Sequence, residues 1–125
     1  MTPSTLQQLA DLLNKSGLEC VVGPVSASVI FPTVIISRQF ESPICAAISP
    51  TGTDVENAAG LMVVTEWLEK LGWDSEDRTA YIDEPDWDYV RKFQQSGDVG
   101  GYEPKYGYGP TRTAALVSAA IEVLS

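Results

Sequence analysis

One stretch near the middle of the chain constrains the fold most: Thr53-Asp-Val-Glu-Asn-Ala-Ala-Gly-Leu-Met-Val-Val-Thr-Glu-Trp-Leu-Glu-Lys-Leu-Gly-Trp73. Apolar residues recur at Val55, Ala58, Ala59 and Met62, then at Leu61, Val64, Leu68 and Leu71. This is the 3.6-residue period of an amphipathic helix, widened on one side by Val63 and Trp67. Thr53 or Asp54 supplies an N-cap oxygen for the free amides of the first turn. Glu56 stands three residues after Thr53, the spacing of a capping box, and its charge suits the positive helix end. Gly72 follows the last periodic residue, where a left-handed C-cap belongs. Gly60 costs a helix interior about 1 kcal/mol relative to alanine, so its presence predicts close approach of a neighbouring backbone.

The flanking segments supply what such a helix must cover. Residues 3–16 read as a first helix with Leu6, Leu9, Ala10 and Leu13 on its apolar side, stopped by Gly17. Leu18–Gly23, Ala27–Ser37 and Pro43–Ser49 read as strands. Pro32 interrupts the second of these and predicts a bulge or a sheet edge there. After the central helix, Thr79–Ile82 and Trp87–Phe93 are strand candidates, with a single turn of helix the alternative for the second, and residues 96–109 read as a glycine-tyrosine loop. Pro110 is expected to open the last helix at its favoured first position. Ala114, Val117, Ala120, Ile121 and Leu124 would form the buried face of that helix. Leu12-Leu-Asn-Lys-Ser-Gly17 and Trp67-Leu-Glu-Lys-Leu-Gly72 also align weakly at an offset of 55 residues, each ending a helix before an extended segment, a pattern that any amphipathic helix with a glycine stop shares.

The expected fold class is therefore α+β, an antiparallel sheet of four or five strands covered by three helices in the order α-β-β-β-α-β-β-α. At 125 residues the expectation is a single domain over residues 1–125. Eight basic residues stand against seventeen acidic ones, a net charge of −9. A field of that sign opposes contact with phosphate backbones, keeps a small protein in solution and attracts a basic partner. No apolar run is long enough to span a membrane and no secretory signal is visible, so a cytoplasmic location is the expectation. Cys20 and Cys45 lie in apolar surroundings and read as buried, reduced thiols.

The second half resembles the phage ABA sandwich domain family. Thr53-Asp-Val-Glu-Asn-Ala-Ala with Trp67-Leu-Glu-Lys-Leu-Gly-Trp73 is similar to that family's first helix, and a two-strand region with a tryptophan follows around Trp87. The closing Gly109-Pro-Thr-Arg-Thr-Ala-Ala-Leu-Val-Ser-Ala-Ala-Ile-Glu-Val-Leu124 is similar to its alanine-rich last helix. The resemblance covers residues 50–124. It implies an accessory protein encoded by a phage or prophage, acting in the host cytoplasm, and it brings no catalytic residues with it.

The residues themselves point away from catalysis. Without histidine there is no Ser-His-Asp triad and no histidine-based metal site. Two isolated cysteines do not make a zinc site, no phosphate-binding loop occurs, and the acidic run fits no calcium loop. No enzyme activity, cofactor or metal is expected. The best contact segment is Trp87–Tyr108 with the acidic residues before it: Asp83, Glu84, Asp86, Trp87, Asp88, Tyr102, Tyr106 and Tyr108. Tyrosines among glycines offer large contact area at low rotamer cost; the plain alternative is a surface loop folded over the sheet. Arg112 either clamps a carboxylate or pairs with Asp98, and pairing is the expectation. The expected function is a non-catalytic binding module acting on a host or phage protein with a basic surface. Its specific form is an acidic inhibitor of a host nucleic-acid-binding protein, without direct nucleic-acid or membrane contact. The alternative is a structural or homo-oligomeric phage protein in which strand 27–37 serves as an edge that pairs with a second copy.

Overall fold

The computed structural model describes residues 3–23, 33–37, 45–49, 52–79, 89–95 and 103–125. Its elements are α1 (Pro3–Ser16), β1 (Cys20–Gly23), β2 (Thr33–Ser37), β3 (Cys45–Ile48), α2 (Asp54–Lys70), β4 (Trp73–Thr79), β5 (Tyr89–Gln95), β6 (Lys105–Gly109) and α3 (Arg112–Leu124). The mixed α+β class is as expected. The single sheet of four or five strands is not: the described strands form two three-stranded antiparallel sheets, ordered β1-β2-β3 and β4-β5-β6. Two strands lie where none was expected: β4, whose residues 74–78 read as part of an acidic run with the strand expected only from Thr79, and β6, in the segment read as a glycine-tyrosine loop. The chain divides into two compact units, Met1–Val63 with Leu124, and Val64–Val123 with Ser125.

In the first unit, Leu6, Leu9, Ala10 and Leu13 of α1 are buried as their spacing requires. Gly17 ends the helix at φ +113°. The Gly17 N–H donates to the Asn14 carbonyl at 3.1 Å and the Leu18 N–H to the Leu13 carbonyl at 3.0 Å, a Schellman closure. Asn14 then pins the first strand: its amide donates to the Cys20 carbonyl, and its oxygen accepts from the Cys20 N–H, both at 2.8 Å. β2 pairs with β1 on one side and β3 on the other. Residues 33–37 are thus the centre of their sheet and not an edge. Pro32 and the rest of 27–32 lie outside the described residues.

The capping box of α2 is present in both directions. Glu56 Oε1 accepts from the Thr53 N–H at 3.1 Å, and Thr53 Oγ1 accepts from the Glu56 N–H at 3.2 Å. The bonds from the Thr53 backbone and hydroxyl hold the Glu56 carboxyl below its usual range. Their contribution is present above the unfolded pKa and is lost as the pH falls through the folded one. The apolar stripe of α2, however, is rotated from expectation. The buried positions are Asn57, Gly60, Val63, Val64 and Leu68, while Val55, Met62 and Leu71 are exposed and Trp67 is half-buried. The cause is contact with the preceding strand. Asn57 accepts from the Ser49 N–H at 2.9 Å and donates to the Ser49 carbonyl at 3.0 Å. A Cβ on Gly60 would meet the Ala47 carbonyl oxygen at 2.5 Å. This is the close backbone approach that Gly60 predicts.

Cys20 is buried, and its thiol donates to the Leu18 carbonyl at 3.3 Å. Burial, and then the nearby Glu19 carboxylate, push its pKa from 9.0 up to about 12. The folded thiol holds its proton more tightly than the unfolded one. This contribution is full below about pH 9 and is lost as the pH rises toward 12. In a Cys45→Ser chain, Cys20 is expected to resist an aromatic disulfide reagent at pH 8 and to react within the mixing time in denaturant. Rapid labelling of the folded chain would contradict its burial.

The second unit repeats the order helix, positive-φ glycine, three-stranded meander. α2 ends at Gly72, φ +100°, and leads into β4. β5 pairs with β4 from Trp73↔Gln95 to Thr79↔Tyr89, and with β6 from Phe93↔Lys105 to Tyr89↔Gly109. Phe93, Val64 and Leu68 are buried with Ala115, Leu116, Val117, Ala119 and Ala120 of α3. Pro110 does not open α3; it precedes the N-cap, Thr111, whose Oγ1 accepts from the Ala114 N–H at 3.1 Å.

Candidate functional site

The two faces of the β4-β5-β6 sheet differ in what they carry. Residues directly opposite across a ladder share a face, and neighbours along a strand alternate. One face holds Ser75, Arg91, Phe93, Gly107 and Gly109. A Cβ on Gly107 would lie 2.1 Å from the Ala115 carbonyl oxygen, and one on Gly109 2.6 Å from Ala114 Cβ, so this is the face that α3 covers. Arg91 reaches along it: its Nη2 donates to Thr65 Oγ1 and Ser75 Oγ, each at 3.2 Å. Its guanidinium carbon lies 5.8 Å from the Phe93 ring centre.

The opposite face holds Asp74, Glu76, Val90, Lys92, Gln94, Tyr106 and Tyr108. Because the intervening glycines face α3, the β6 tyrosines are turned outward. Tyr106 is 39% and Tyr108 47% exposed, and their rings stack with centres 6.1 Å apart at 16°. Two large rings side by side offer a broad contact area with few rotatable bonds for a partner to freeze. Beside them the register aligns Tyr106, Lys92 and Glu76 in one cross-strand row. A shallow recess of about 270 Å³ opens between β4 and β5, lined by Asp74, Ser75, Glu76, Lys92 and Gln94. The face combines aromatic area with charges of both signs, the chemistry of a protein contact with a polar rim.

Of the residues expected to form the contact, Tyr106 and Tyr108 are brought together on this face. Asp83, Glu84, Asp86, Trp87, Asp88 and Tyr102 lie outside the described residues, as do Asp98 and residues 80–82 of the expected 79–82 strand. Arg112 stacks on the Tyr89 ring, its guanidinium carbon 5.6 Å from the ring centre. Lys92 and Gln94 fall within the expected contact segment Trp87–Tyr108 without being singled out, whereas Asp74 and Glu76 lie outside it and were missed. Trp73 is the one apolar residue of Trp73–Thr79, so that strand carries no period-two signal in the sequence and only its pairing with β5 places Asp74 and Glu76 on the surface.

Among the described residues, no helix is long and apolar enough to cross a membrane. No protein-family model matches the chain, and no curated protein matches its sequence.

Proposed function

We propose that this chain is a non-catalytic binding module, a phage- or prophage-encoded accessory protein that docks on a host or phage protein with a basic surface. The observation that carries the reading is the stacked, outward pair Tyr106 and Tyr108, set by two glycines packed on a helix. Tyrosine is among the residues enriched at the positions that dominate protein interfaces. The net charge of −9 supports a basic partner through long-range attraction. The resemblance to the phage ABA sandwich domain family supports the phage origin. In its specific form the module is an acidic inhibitor that covers the nucleic-acid-binding surface of a host protein.

The test is capture of partners from host extract on the immobilised chain, followed by affinity measurement with each captured protein. A Tyr106→Ser/Tyr108→Ser chain is expected to bind at least about tenfold more weakly, roughly 1.4 kcal/mol. Undiminished binding by that variant would reject the tyrosine face. The inhibitor form further requires that raising the salt weakens binding, and that neutralising Asp83, Glu84, Asp86 and Asp88 together flattens that dependence. Salt-insensitive binding that survives those changes would remove it.

A further inference from the structure

α2 leaves an apolar stripe on its outer side. Val55 is 86% and Met62 60% exposed, and Ala58 and Ala59 between them are exposed as well. At about 100° per residue these four positions form one face over two turns, opposite the buried Asn57 and Gly60. The outer face of a packed helix is ordinarily polar. Here the acidic groups stand around the stripe: Asp54 flanks Ala58 on one side, Glu56 flanks Ala59 on the other, and exposed Glu66 ends it one turn beyond Met62. The capping box keeps Glu56 ionised.

We infer that this stripe is a second docking surface, and that its occupant is an amphipathic segment of a partner protein whose apolar ridge is edged by lysine or arginine. Charge decides between that occupant and a second copy of the chain. An isologous pairing sets the carboxylate margins of one stripe against those of the other, between molecules that each carry −9. A cation-edged ridge fills the apolar centre and neutralises both margins. The inference uses residues of the first unit alone and stands if the tyrosine face proves inert.

The test uses a synthetic helical peptide of leucine and lysine, with one apolar and one basic face, titrated into the full chain. Val55→Ser/Met62→Ser leaves the charge unchanged and alters only exposed positions, so melting should match the parent. It is expected to weaken peptide binding at least about tenfold. Asp54→Asn/Glu56→Gln is expected to weaken it as well, while Tyr106→Ser/Tyr108→Ser leaves it unchanged. Equal binding by the Val55/Met62 variant and the parent would overturn the inference, since charge alone would then hold the peptide. So would a concentration-dependent dimer in sedimentation that the same variant dissolves.

Discussion

A Gly107→Ala chain is expected to lose at least about 3 kcal/mol of stability, the upper range for overpacking a core. The added Cβ would stand 2.1 Å from the Ala115 carbonyl oxygen and 2.2 Å from the Ala119 amide nitrogen. Those atoms are the acceptor and donor positions of one intrahelical hydrogen bond. Both belong to the backbone, so no rotamer change relieves the clash. Either β6 moves off α3 or a turn of α3 opens. Gly107 is not in the left-handed region, so the cost is steric and not conformational. Gly72 supplies the control: it has φ +100° and nothing within 4 Å of an added Cβ. Alanine there should cost only the backbone strain, about 1–2 kcal/mol. Urea unfolding of the three chains separates the effects, and a parental midpoint for Gly107→Ala would refute the packing of β6 on α3.

The second large effect reverses a propensity rule. Gly60 lies inside a helix, where alanine should stabilise by about 1 kcal/mol. A Cβ at that position would meet the Ala47 carbonyl oxygen at 2.5 Å, Ile48 Cγ1 at 2.7 Å and the Ala47 carbonyl carbon at 2.8 Å. Ile48 is fully buried and β3 is tied to the same helix through Asn57 and Ser49, so the neighbours have little freedom to yield. Gly60→Ala is therefore expected to destabilise by about 2 kcal/mol after the helix gain is included. Denaturant titration that finds the variant more stable than the parent would contradict the close approach of α2 to β3.

These glycines show which parts of the fold were legible. Three signals confined to a few residues read correctly, the Thr53–Glu56 box and the stops at Gly17 and Gly72, whereas Pro110 did not, because Thr111 takes the N-cap after it. The stripe of α2 was misassigned because its apolar residues surround the helix. Contacts distant in sequence, from Ser49 to Asn57 and from Ala47 to Gly60, select the buried side. β6 was missed because glycine at 107 and 109 usually marks a turn. In Tyr106-Gly-Tyr-Gly109 the alternation is instead a strand pattern, with no side chain on the helix-facing side and a ring on the other. The 55-residue alignment ending at Gly17 and Gly72 corresponds to two successive helix-to-meander passages. Ala115, whose carbonyl Gly107 approaches, stands at that same offset from Gly60. In each unit the helix after the third strand meets that strand at backbone distance, with the glycine on the helix in one case and on the strand in the other.

The candidate surface was legible only in its tyrosines. Tyr106 and Tyr108 stand out by composition, but their stacking and outward aim follow from how tightly Gly107 packs on α3. Asp74, Glu76, Lys92 and Gln94 join them through strand register, which a charge count does not contain.

Amide chemical-shift mapping of the full chain, titrated with a captured partner, tests the central claim most directly. The binding-module reading predicts the largest changes at Asp74–Glu76, Val90–Gln94 and Lys105–Gly109. Saturating binding that leaves those amides unmoved would contradict it.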